Sequence, residues 1–197
     1  MIDLISNKQF LNAAAVALTV YSFIPYTRSI FKGQTKPHVF SWLIWGLATL
    51  IVFAAQLADG AGVGAWSTAV SGVGTLYIAY LAFQRRADHS VTRMDWIFLA
   101  LALASLPLWL WTSDPLWAVI ILTTVDTLGF GPTFRKAYHA PYEEQLQMYI
   151  LLIFRNLLSI AALENYSWTT VLFPAFVSWM CVLFIAMVMV RRARRVV

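Results

Sequence analysis

Hydrophobic residues in this chain gather into long runs, separated by short stretches that hold nearly all of the charges. A helix needs about 20 consecutive, mainly apolar residues to cross a bilayer. Seven runs meet that measure: Phe10 to Phe31, His38 to Leu57, Gly62 to Gln84, Met94 to Trp111, Leu116 to Tyr138, Gln145 to Leu163 and Trp168 to Val190. The connections between them are too short for a soluble domain. The pattern predicts an all-α integral membrane protein, with residues 1–197 as a single membrane domain.

Composition agrees with this. Of the 197 residues, 60% are hydrophobic and 12% are charged, against about 25% charged in soluble domains. The net charge of +5 does not point to nucleic acid, because the basic residues are clustered between the apolar runs. Arg28, Lys32 and Lys36 follow the first run; Arg85, Arg86 and Arg93 the third; Arg135 and Lys136 the fifth; Arg191, Arg192, Arg194 and Arg195 the seventh. These are twelve of the fourteen basic residues, whereas the opposite connections carry only the acids Asp59, Asp114 and Glu164. The positive-inside rule then predicts an amino terminus outside and a carboxyl terminus in the cytoplasm, in a plasma (inner) membrane. Met1 to Gln9 hold one acid and one lysine, and the apolar run that follows, ending in Arg28, Lys32 and Lys36, reads as a retained span rather than a signal peptide. Trp66, Trp109, Trp111, Trp117 and Trp168 fall near predicted outer ends and Trp96 near an inner one, as interface anchors do. Trp42, Trp45 and Trp179 lie deeper. Cys181 is the sole cysteine and reads as a packing residue.

A shift of 107 positions lays Pro25 on Pro132, Phe23 on Phe130 and Arg28 on Arg135. Without a gap it also matches Ala54-Ala55 to Ala161-Ala162, Val70-Ser71 to Val177-Ser178 and Ile78-Ala79 to Ile185-Ala186. The register predicts an internal duplication of three spans, residues 10–86 and 116–192. A unit with an odd number of spans ends on the side opposite its start, so a linker helix, 94–111, must restore direction. The expected fold is seven transmembrane helices as two parallel three-helix repeats joined by that linker, of the kind found in some transporters.

Pro25 in the first span, the basic loop Lys32-Gly33-Gln34-Thr35-Lys36, Ser41 opening the second span and the repeat counterpart Pro132 resemble the SWEET sugar transporters and the wider PQ-loop superfamily. Tyr26 and Thr133 follow the two prolines where that family has its glutamine. The nicotinamide-riboside transporters are similar in architecture. The resemblance implies alternating-access transport of a small polar solute, with the repeat prolines as hinges and a central cavity between the two triple-helix units.

Asp126 and Arg155 are the residues that cost most in lipid, since a charge near the bilayer centre is disfavoured by at least roughly 2.5–3.5 kcal/mol and normally faces the bundle interior. At a rise of about 1.5 Å per residue, both lie about 15 Å deep, near the midplane. Their repeat counterparts are Thr19 and Ala48; Asn156 pairs with Thr49, Ser178 with Ser71 and Trp179 with Gly72. This midplane layer, with Trp45, is the expected substrate site. Within it Asp126 and Arg155 form a buried ion pair, or Arg155 offers a planar fork of donors to a carboxylate or hydroxyl-rich substrate, with Asn156 adding a hydrogen bond and Trp179 a stacking face; a pair that opens on substrate arrival serves both. Asp126 sits beside Gly129, Gly131 and Pro132, which with Pro25 form the expected hinges, and an acid next to a hinge is a candidate for proton coupling. Pro107 and Pro174 read as kinks. His38, His89 and His139 are scattered at or beyond the predicted inner ends and read as loop residues, not metal ligands.

The leading expectation is a transporter or facilitator for a small polar solute such as a sugar, amino acid or vitamin; a homo-oligomer is compatible with it. The alternative is a seven-helix receptor that binds a small ligand without moving it. A retinal photoreceptor is excluded because the last run has no lysine for a Schiff base. No nucleophile with a neighbouring base and no phosphate-binding loop points to an enzyme or to a cofactor.

Overall fold

The computed structural model of the protein describes residues 2–33, 37–85, 91–139, 141–143 and 146–194. They form seven α-helices, with no strand among the described residues: α1 (Ile2–Phe31), α2 (Val39–Ala58), α3 (Trp66–Gln84), α4 (Arg93–Thr112), α5 (Leu116–His139), α6 (Leu146–Ala161) and α7 (Trp168–Ala193). Each coincides with one of the apolar runs. The largest departure is α1, which starts eight residues before Phe10 because Asn7 and Lys8 tolerate helix as well as the apolar residues do. A short 3₁₀ turn, Gly62–Ala65, opens the third run. Capping sets several other ends. Thr92 and Asp95 form a reciprocal capping box on α4, and Ser167 and Thr170 form another on α7. His38, expected to be a loop residue, caps α2 by accepting from the Ser41 backbone N–H at 3.2 Å.

Four helices are long and apolar enough to cross a membrane: the Asn7–Phe31 part of α1, α2, α4 and α7. The described apolar stretches of α5 (Leu116–Gly131) and α6 (Leu146–Ala161) are shorter, and α3 is diluted by polar residues, including Ser67, Thr68, Ser71 and Thr75. Such residues are accommodated when neighbouring helices cover them.

The packing follows one plan twice. In the first three helices α3 lies between α1 and α2, and in the last three α7 lies between α5 and α6. Gly46 and Gly72 let α2 and α3 approach closely, each receiving a leucine of the other helix, Leu76 and Leu50 respectively. Across the two groups, α1 packs on α6 and α2 packs on α5, while α4 lies against α5 and α2.

The two ends of the bundle differ. At the end that holds Asp59 and Glu164, here the acidic end, one buried cluster joins Ala61 and Ala65 to Leu163. Nearer the middle, a second unites Ala48 and Val52 of α2 with Val119 and Leu122 of α5 and Phe173, Val177 and Cys181 of α7. Both clusters span the two helix groups. At the opposite, basic end each group keeps its own small core: Ile30, Ile78 and Leu81 in the first, and Ala137, Phe184 and Val188 in the second. Between these cores, four helices lose burial together. No described residue is buried from Val20 to Ser29 of α1, Val39 to Leu43 of α2, Asp126 to Phe134 of α5, or Leu146 to Phe154 of α6. α3 and α7 stay buried over the same depth, at Ile78 and Leu81 and at Phe184 and Val188. The groups thus share buried cores at the acidic end and in the middle, and at the basic end each described group has its own.

Candidate functional site

Arg155 and Asn156 of α6 follow its little-buried stretch Leu146–Phe154, toward the acidic end. Arg155 is 5% exposed; its Nη2 donates to Ser71 Oγ of α3 at 3.4 Å, and its Nε has no partner. Asn156 is 1% exposed, and neither Oδ1 nor Nδ2 has a partner. One turn further, Ser159 Oγ donates to the Gly64 carbonyl at 2.8 Å and accepts from Ser67 Oγ at 2.8 Å. Ser67 and Ser71, like Arg155 and Ser159, are four apart and share a helix face. A polar seam therefore joins α3 to α6, satisfied at the serines and unsatisfied at Arg155 and Asn156. A buried donor or acceptor without a partner costs roughly 1–3 kcal/mol.

Asp126 lies on α5, partly buried at the same depth. The intervening α7 keeps α5 and α6 apart, so Asp126 and Arg155 act on each other electrostatically, with Cys181 of α7 within reach of both, but without ion-pair contact. Asp126 accepts no hydrogen bond from the described residues. Two opposite charges thus stand within electrostatic reach of each other on different helices, without ion-pair contact.

The remaining predicted residues fall into different roles. Thr19, Thr49 and Ser178 are buried at the expected level, but each hydroxyl donates to a carbonyl one turn back in its own helix, at 2.8 Å: Ala15, Trp45 and Pro174. Ala48, the repeat partner of Arg155, is buried in the shared core. Trp45 is partly buried and its indole rests on Gly129 of α5. Trp179 does not belong to the layer. It is 53% exposed, on the stripe of α7 that holds Val182, Leu183 and Val190, opposite the buried stripe of Phe173, Val177, Cys181 and Phe184. At 100° per residue it points away from the other site residues. Of the expected hinges, Pro25 lies in an uninterrupted α1, and Gly129, Gly131 and Pro132 lie in an uninterrupted α5. Gly129 is a contact point for Trp45, whereas a Cβ at Gly131 would meet nothing within 4 Å. The side chain of Pro132 lies outside the described residues.

Sequence reading missed a set of polar groups on the acidic side of the layer. Asn12 Oδ1, Gln56 Oε1 and Thr68 Oγ1 are buried without partners, on α1, α2 and α3. Ser67, Thr68 and Ser71 spaced along one face were the available signal for α3. Beyond them the acidic end is laced shut. Lys8 Nζ donates to the Leu163 carbonyl at 2.6 Å, Gln56 Nε2 to that of Thr170 at 2.9 Å, and Asn165 Nδ2 to that of Asp59 at 2.7 Å. The Glu164 backbone N–H reaches the Ala61 carbonyl at 3.0 Å, and Ser167 Oγ donates to the Asp59 carboxylate. A Cβ on Gly64 would sit 2.7 Å from the Leu163 backbone nitrogen, so the two chains meet there backbone to backbone. Among the described residues no group of metal-ligating side chains is present.

No family model matches this chain, and neither a curated protein nor a solved structure gives a match.

Proposed function

We propose that the protein is a membrane transporter or facilitator that moves a small polar solute by alternating access between two parallel three-helix units. The observation that carries this reading is the burial of Arg155 and Asn156 with unpartnered donors and acceptors, next to an acidic end where hydrogen bonds tie the two helix groups together. A buried polar group without a partner is held at a cost, and a solute that supplies the partner recovers it.

The two-unit arrangement is supported by two further facts. The third helix of each group lies between the other two, and the α1–α6 and α2–α5 contacts are equivalent under exchange of the groups. All seven helices then cross the bilayer, the linker being α4. With the basic end in the cytoplasm by the positive-inside rule, the conformation is inward-facing, and the laced acidic end is the closed outer gate. The resemblance to SWEET and PQ-loop transporters fits this arrangement.

Uptake of labelled solutes into proteoliposomes tests the proposal. Arg155→Gln is expected to lower uptake by at least about tenfold, the equivalent of about 1.4 kcal/mol, while the variant still elutes as a folded protein. Binding of a solute that never accumulates inside the vesicles would instead identify a receptor.

A further inference from the structure

We infer that the solute is a small zwitterion, carrying a carboxylate and an ammonium group as an amino acid does. This rests on the transport reading of the same site and assigns its substrate class. Arg155 presents an unpartnered Nε and a second nitrogen held only by a long bond to Ser71. Asp126 of α5, within electrostatic reach of Arg155, has its carboxylate free of hydrogen bonds from the described residues. The two charges are not in contact, and α7 keeps their helices apart. Each single-charge solute fails one of them: an anion suits Arg155 and is repelled by Asp126, and a cation suits Asp126 and is repelled by Arg155. A neutral polyol leaves both buried charges without a counter-ion. A zwitterion meets both at once, its carboxylate on the planar guanidinium fork and its ammonium on Asp126. Asn156 adds a donor for the carboxylate and an acceptor for the ammonium, and both of those atoms lack a protein partner. The bound solute brings no net charge to the site, so the electrostatic balance of the midplane is the same loaded and empty.

The test is a thermal-shift series on the purified full-length protein in detergent, with the common amino acids, their amides (ammonium only), their N-acetyl derivatives (carboxylate only) and glucose. At least one amino acid is expected to raise the melting temperature, with its amide and its N-acetyl form at least tenfold weaker. In Asp126→Asn the N-acetyl form is expected to gain on the parent amino acid, and in Arg155→Gln the amide is. If either variant fails to fold, the wild-type series decides alone. Stabilisation by glucose or by a singly charged form with none by any amino acid overturns the zwitterion assignment, as does the absence of stabilisation by any probe. Failure of the transport reading looks different: an amino acid binds with the expected charge preference, yet its labelled form does not enter proteoliposomes.

Discussion

The indole of Trp45 lies so close to Gly129 that a methyl group added there would stand 2.9 Å from Nε1. This contact ties α2 to α5 about one turn from Asp126, toward the basic end. Gly129→Ala is therefore expected to destabilise the protein by about 1–3 kcal/mol through overpacking, measured as a lower melting temperature in detergent.

Gly131 provides the contrast. A Cβ there meets nothing within 4 Å, so Gly131→Ala is expected to leave stability unchanged or raise it by up to about 1 kcal/mol, because alanine favours helix. If α5 bends at this point during transport, the same variant lowers the uptake rate several-fold. Equal uptake with equal stability would remove Gly131 from the hinge.

Asn156→Leu separates stability from function. Both amide atoms of Asn156 are unpartnered and its side chain is 1% exposed. An apolar group of similar size is expected to stabilise the fold by about 1–3 kcal/mol, while uptake falls by at least tenfold. A loss of stability would mean that the amide has structural partners, and its place in the site would be lost.

The closed acidic end can be pinned. A Cβ on Gly60 would lie 3.7 Å from that of Asn165, within the range of about 3.5–4.5 Å found across disulfides. Gly60 has a φ of 75°, so a cysteine there is strained by about 1–2 kcal/mol. In a Cys181→Ser background, Gly60→Cys with Asn165→Cys is expected to cross-link under oxidation. Uptake is then abolished and returns on reduction, while binding from the basic side survives. Undiminished uptake by the oxidised protein would mean that this end does not open during transport.

Ser159 carries two bonds of the seam between α3 and α6, to Gly64 and from Ser67. Ser159→Ala is expected to cost about 1–3 kcal/mol, since it strands both the Gly64 carbonyl and the Ser67 hydroxyl. Ser67→Ala, which leaves the bond to Gly64 intact, is expected to cost less. Chemical or thermal unfolding in detergent checks the order.

Helix positions were legible because lipid-length apolar runs with charged breaks leave few alternatives, and the ends of α2, α4 and α7 fall within two or three residues of the expected ones. Burial at the midplane was readable for Thr19, Thr49, Arg155, Asn156 and Ser178, since depth follows from position along a helix. Facing was not. Trp179 shares the depth of Ser178 but is turned by one residue, about 100°, and nearly uniform apolarity around α7 gave no stripe to reveal that it points outward. The separation of Asp126 from Arg155 was also hidden, because it depends on α7 lying between their helices, a matter of packing order. The lacing of the acidic end was invisible for a similar reason: it runs largely through backbone carbonyls and the bare faces of Gly62 and Gly64.

Under the 107-position register, Thr19 and Ala48 of the first helix group match Asp126 and Arg155 of the second. An assembly of two identical short chains could never reach this state: symmetry would dictate two acids and two bases, or none. On the proposed duplication, fusing the copies into one polypeptide lets a single dipole persist, and on the proposed zwitterion reading a guest with a head and a tail enters in only one orientation.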